Sequence, residues 1–283
     1  LSTPVTGGRS LSKSVAVGIL LGVVFLLSVL IYKELFMVLA AAAAGAGAWE
    51  LSSALRLKGW YVPRVPAVVG SVLIMPAAFY GGAELQWLVS LSIVAALILW
   101  RTVHLLWEAR EAPRQAIAHT LRDFAAAAFV VIYLPLMTSF TMLLLRRPDG
   151  AEWIITFVVT VSLIDTAGYL VGRKLGRHKL APGVSPKKTW EGLVASISAG
   201  VISAVVFTQI FWGFDWWLGL VLAAVLLLAA VFGDLAESLI KRDLGVKDMS
   251  SLLPGHGGIM DRLDSILPSA LITYLFAQIF LPL

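Results

Sequence analysis

The sequence predicts an all-α, polytopic integral membrane protein with about nine transmembrane helices, and three observations carry that prediction. Of 283 residues, 59% are hydrophobic and 14% charged, with a mean hydropathy of +0.89, far from the balance of a water-soluble domain. Apolar runs of roughly 20 residues, the length that a bilayer core about 30 Å thick asks of a helix, recur along the chain. The basic residues gather in alternate gaps between those runs, which is the charge asymmetry of a membrane protein with a fixed orientation.

The spans are expected at 12–32, 34–55, 65–81, 83–106, 117–145, 151–172, 190–212, 215–240 and 262–283. Several exceed the bilayer thickness, so tilt or protrusion is expected. Placing the amino terminus and the gaps after the second, fourth, sixth and eighth spans on one side collects 19 of the 22 Lys and Arg residues. Only Lys33, Arg146 and Arg147 fall on the other. The rich side is then cytoplasmic, with the amino terminus inside and the carboxyl terminus outside, which requires an odd number of spans. Residues 1–11 are polar and are set aside as a tag or disordered tail. The first apolar run is too long, and followed by too many others, for a cleaved signal peptide.

Composition excludes several classes. Cysteine is absent, so there is no disulfide framework, thiolate metal site or thiol nucleophile. The net charge of +5 and the pI of 9.6 are explained by juxtamembrane placement and do not call for a nucleic-acid partner. No internal repeat is visible, which disfavours the common transporter architectures. Residues 12–150 (the first five spans) are mainly Ala, Leu and Val and read as a scaffold. Nearly all unusual polar residues lie between 165 and 265, so 151–283 reads as the catalytic region.

Three polar segments bear chemistry. In residues 165–192, Asp165 lies in or at the end of a span, where a charge is costly and usually faces protein or water. Gly168, Gly172 and Gly176 recur every fourth residue, a spacing that more often means close helix packing than a ligand cradle. In SPKKTWEG, Ser185 is pushed extended by Pro186. Lys187 and Lys188 supply cations, for anionic lipid or for a phosphate, and Thr189 can cap the next helix. In the second segment, 233–248, Asp234, Glu237, Ser238 and Lys241 form one polar stripe on an apolar helix, either a self-satisfied ion pair or a site. In the third, GHGGIMDRLDS, glycines at 255, 257 and 258 lead into Asp261, Arg262 and Asp264 at the start of the last span, and loops of this kind turn backbone N–H groups toward an anion. Acidic residues at a helix start also suit the helix dipole, which accounts for one of them.

Carboxylates without cysteine or clustered histidine suit a hard cation such as Mg2+, which keeps waters and takes phosphate oxygens. Lys and Arg in number suit phosphates. The residues therefore point to Mg2+-dependent phosphoryl or nucleotidyl transfer at the cytoplasmic membrane surface, one substrate arriving from water and the other from lipid.

These motifs resemble the signature of the phosphatidate cytidylyltransferase (CDP-diacylglycerol synthase) family. S-x-x-K-R-x4-K-D is met by Ser238, Lys241, Arg242, Lys247 and Asp248. P-x-H-G-G-x-x-D-R-x-D is met by Pro254, His256, Gly257, Gly258, Asp261, Arg262 and Asp264, and SPKKTWEG is similar to a further family segment. The resemblance covers roughly the last 120 residues and implies a reaction in which CTP and phosphatidic acid give CDP-diacylglycerol and pyrophosphate. It implies a bacterial inner-membrane enzyme with its site facing the cytoplasm, and a homodimer.

On this reading Asp234 and Asp261 are the principal metal ligands, with Asp264 and Asp165 as second candidates. One or two divalent cations are expected, and a second ion of a different kind is allowed. Asp234, Lys241, Asp261 and Arg262 form the catalytic set. Ser185, Lys187, Lys188, Ser238, Arg242, Lys247, His256, Gly257 and Gly258 bind substrate. Pro268 sits one turn into the last span, where a proline can kink a helix. The alternatives are a transporter with an intramembrane charged pathway and a lipid or polyprenol kinase. A phosphotransferase using CDP-diacylglycerol as donor would need a D-G-x-x-A-R motif that the chain lacks.

Overall fold

The computed structural model describes residues 22–108, 119–183, 185–250, 252 and 257–281. Helical residues 22–30 lead into α1 (Lys33–Leu57), α2 (Arg64–Glu108), α3 (Thr120–Leu145), α4 (Gly150–Leu175), α5 (Trp190–Trp212), α6 (Trp216–Leu244) and α7 (Met260–Phe280). Each of these seven is long and apolar enough to cross a bilayer. The apolar runs expected from 34 to 281 all fall on these helices. Residues 12–21 of the run expected at 12–32 lie outside the described residues.

At 45 residues, α2 would be about 68 Å long if straight, twice a bilayer core. It is instead folded back at Gly82, whose φ of 70° and ψ of −161° are open to glycine and strained for any other residue. The halves 64–81 and 83–108 run side by side, and a Cβ at Gly70 would stand 2.6 Å from the Ile93 side chain. The break expected between 81 and 83 is this fold.

A second irregularity lies in α3, where Ile132–Leu136 form a π-turn around Pro135. Proline donates no N–H and its ring displaces the preceding carbonyl, and the wider turn accommodates both. A third lies in α7, which breaks at Asp264–Ser265 between helical Met260–Leu263 and Ile266–Phe280. Pro268 is the cause. It has no N–H for the carbonyl of Asp264 four residues earlier, so the helix breaks one turn before the proline.

Helices α4 and α5 pack tightly along their lengths. A Cβ at Gly192 would stand 2.7 Å from the Gly168 carbonyl, and the Ser196 hydroxyl donates to the Ile164 carbonyl at 2.7 Å. The glycine repeat of α4 is therefore a packing seam. Between these helices lies the one departure from all-α among the described residues, an antiparallel hairpin of β1 (Lys179–Ala181) and β2 (Ser185–Thr189). Its second strand is SPKKT, extended as the proline demands. Thr189 ends the strand and caps α5, accepting from the Gly192 N–H at 3.2 Å.

Candidate active site

The acidic residues meet where α6 crosses α7. Gly233 makes the crossing close: a Cβ there would stand 2.8 Å from Pro268 Cγ and would collide with the Asp264 carbonyl. Asp234 and the α7 break are brought together by that missing side chain. Asp264 lies within electrostatic reach of Asp234 and Glu237, and Asp165 within reach of Asp264, Asp234 and Lys188. Ser265 links two helices, its hydroxyl donating to Asp165 at 2.7 Å while its backbone N–H donates to Asp264 at 2.8 Å. The β-hairpin reaches the same place, since Lys188 Nζ forms an ion pair with Asp234.

A second group adjoins it. Lys241 Nζ donates to Glu237 at 2.7 Å and to Asp261 at 2.9 Å. Asp261 also accepts the backbone N–H of Gly258 at 2.8 Å and of Met249 at 3.0 Å. Its carboxylate thus closes the loop between α6 and α7 upon itself, and Gly257, at φ 84°, supplies the left-handed turn this needs. The ion pair open to Glu237 in the sequence is present, and Lys241 extends it to Asp261.

Asp234 and Asp261, the expected principal metal ligands, have different protein partners. Asp234 shares its surroundings with Asp264 and Asp165, and Asp261 is held by Lys241 and two amides. Ser185, Lys188 and Ser238 are half-buried near the hairpin and α6, whereas Lys187, Arg242, Lys247 and Arg262 are exposed. Gly258 is buried, and His256 lies outside the described residues.

Three participants escaped the sequence reading. Glu50, in α1, is 4% exposed and accepts from the Ser250 hydroxyl at 2.5 Å and from the backbone N–H groups of Ile259 and Met260 at 3.0 and 2.9 Å. It caps α7 from the opposite end of the sequence, a favourable use of a carboxylate at a helix amino terminus. Tyr133, on the π-turn, is buried within electrostatic reach of Glu237, Asp264 and Asp234, and no partner meets its hydroxyl. Ser265, the link described above, follows the motif directly. Only the π-turn had a local signal, Pro135 within an apolar run.

Five carboxylates (Asp165, Asp234, Glu237, Asp261, Asp264) thus gather around two ammonium groups (Lys188, Lys241). Glu237 is fully buried, and no protein donor meets its Oε1. Such a surplus of negative charge calls for a cation or a proton. Among the described residues no three carboxylate or imidazole groups close into a full metal cage. Mg2+ does not require one, since it is commonly held by one or two carboxylates with waters and phosphate oxygens completing its shell.

Relatives with similar sequences include several phosphatidate cytidylyltransferases. The chain is 35% identical to the phosphatidate cytidylyltransferase of Mycobacterium leprae, over 94% of this chain and 87% of that protein. It is 32% identical to the phosphatidate cytidylyltransferase of Mycobacterium bovis, over 95% and 88%. The Brucella suis phosphatidate cytidylyltransferase is 40% identical over 50% of this chain and 54% of its own length. The profile of the cytidylyltransferase family matches residues 12–280, and the chain is a member of that family.

Proposed function

We propose that this integral membrane protein transfers CMP from CTP to phosphatidic acid, giving CDP-diacylglycerol and pyrophosphate. Family membership and the shared name of its relatives support the reaction. The observation that carries the reading is the gathering of Asp234, Asp264 and Asp165 beside Lys188 and Lys241 at one end of the helix bundle. A phosphate oxygen of the lipid attacks the α-phosphorus of CTP in line, the bond to the β-phosphate oxygen breaks, and pyrophosphate leaves with that oxygen. A phosphate monoester is largely ionised near neutral pH, so no strong general base is needed. The protein's task is positioning and charge neutralisation.

Asp234 and Asp264 would hold Mg2+, with Asp165 and the free Oε1 of Glu237 at its margin. When bound, the ion would neutralise the charge of the triphosphate. A second, different cation fits the same surplus of carboxylates. Lys188, the ion-pair partner of Asp234, stands where an incoming cation or phosphate would meet that carboxylate. Lys241, through Glu237 and Asp261, fixes the loop that faces the substrates. Lys187, Arg242, Lys247 and Arg262, exposed at the rim, take the phosphates, and Ser185, Ser238, Gly257 and Gly258 line the nucleotide side. The orientation read from Lys and Arg puts this rim in the cytoplasm of a bacterium, at the inner membrane, with nine spans and a homodimeric assembly completing the proposal.

The deciding experiment offers the purified protein phosphatidic acid, Mg2+ and each of CTP, ATP, GTP and UTP, and weighs the lipid product. A mass gain of CMP with CTP alone supports the reading. Transfer of a single phosphate from ATP would make the protein a kinase, and absence of any product with CTP overturns the assignment.

A further inference from the structure

The three basic residues on the cation-poor side converge on one place, at the opposite end of the bundle from the acidic site. Lys33 Nζ donates to the carbonyls of Leu145 and Arg147 at 3.1 and 3.3 Å, tying α1 to the turn between α3 and α4. Beside that turn lies a cavity of about 260 Å3, lined by Gly82, Leu143, Arg146, Arg147, Tyr274 and Gln278 among others. Its lining holds two guanidinium groups, a phenol and an amide, and no carboxylate. Along α7, Gln278 is 17 residues beyond Asp261, about 25 Å of helix.

Arg147 is 3% exposed. Its Nε donates to Asp149 at 3.0 Å and one Nη to the Leu281 carbonyl at 2.8 Å, while the other, Nη1, is buried with no partner. A charged donor left without an acceptor is costly, and buried polar groups of this kind ordinarily have one. The guanidinium of Arg146 lies against Gly82, where any side chain would collide with it, so the hairpin tip of α2 leaves room for a cation at the cavity wall. Arginine is depleted on this side of a membrane protein by the usual charge bias, and two adjacent ones in a cavity run against it.

We propose that this cavity binds a phosphate group, with Arg146 and the free Nη1 of Arg147 as its charged donors and Gln278 and Tyr274 as neutral ones. Arginine pairs bind phosphate oxygens in a forked geometry that suits both a lipid headgroup and free phosphate. The apolar portions of Leu143 and Tyr274 fit the first acyl or glycerol atoms of a lipid. The site is separate from the acidic one and does not rest on the reaction proposed above.

The test uses the full chain in an uncharged detergent and reads the half-saturating concentration of each probe from thermal unfolding. The probes are inorganic phosphate, phosphatidylglycerol in mixed micelles and phosphate-free diacylglycerol in the same micelles. Arg147 is buried and paired, so Arg146→Gln and Gln278→Leu carry the test, with Arg173→Gln as a basic-residue control at the other end of the bundle. The expected result is saturable binding of phosphatidylglycerol or phosphate that weakens at least tenfold in Arg146→Gln and Gln278→Leu and is unchanged in Arg173→Gln. Phosphatidylglycerol binding without phosphate binding identifies a lipid headgroup, and binding of both with the same sensitivity to the variants identifies phosphate itself. The proposal is overturned if neither probe saturates, if both variants bind like the wild type, or if diacylglycerol binds equally well.

Discussion

Glu50 shows how much one side chain can hold. Its carboxylate receives two backbone N–H groups of α7 and a serine hydroxyl, so Glu50→Gln should lose about 1.5–3 kcal/mol of charge-assisted bonding, equivalent to roughly 10–100-fold in turnover. Because its hydrogen bonds go to Ser250 and the start of α7, Glu50 is a positioning residue. The expected signature is a fall in kcat with a shifted Mg2+ requirement and partial recovery in Glu50→Asp; unchanged kinetics with a lowered Tm would make its role structural only. Asp261→Asn should abolish CMP transfer, since it removes the charge that Lys241, Gly258 and Met249 converge upon, while the purified variant still elutes as a folded species. Near-normal turnover would remove Asp261 from the site. Asp261 was legible in the sequence because a glycine-led, doubly acidic helix start has a recognisable pattern. Glu50 was not, since its partners lie at least 200 residues away and nothing local distinguishes it from Glu34, the other acid of the same alanine-rich helix.

Among the elements, the α6–α7 crossing is the joint on which the site depends. Gly233→Ala places a methyl group against the Asp264 carbonyl and Pro268, so the helices must separate and the two acids with them. Activity should be lost although the substitution is conservative in charge and only one methyl larger; activity comparable to the wild type would mean that the crossing can relax. At the base of the first half, Arg101 and Asp123 form an ion pair at 2.7 Å with side chains 5% and 1% exposed, and the Tyr61 N–H also donates to Asp123. Asp123→Ala removes one of the two carboxylates that meet the buried Arg101 guanidinium, Glu108 remaining at 2.9 Å, and should cost about 1.5–3 kcal/mol, read as a lower Tm in detergent. The α4 start is held by Asp149, which accepts from the indoles of Trp153 and Trp212 and from Arg147. Burial raises the Asp149 carboxyl, but these three hydrogen bonds outweigh it and hold the group below its ordinary range. A depressed carboxyl contributes stability above its unfolded value, about pH 4, and loses it as the pH falls through the lower folded value. The wild type should therefore lose Tm more steeply than Asp149→Asn on acidification below about pH 4; parallel curves would refute the assignment.

At the scale of the whole molecule, the apolar runs and the SPKKT strand with its threonine cap could be read from local rules of length, proline and capping. What could not be read is the joining of distant parts, as when Lys58 of the first half forms an ion pair with Asp243 of α6. The sequence suggests a scaffold followed by a catalytic region, yet Glu50 of the first part holds the start of α7 and Tyr133 stands near the acids of the second. One feature constrains how such a molecule is made. The connector between the halves of α2 is a single glycine, too short to be threaded across a bilayer by itself. The two halves must enter the lipid together, with Arg64 and Glu108 left behind on the side they started from, so no redistribution of flanking charge can invert one half without the other.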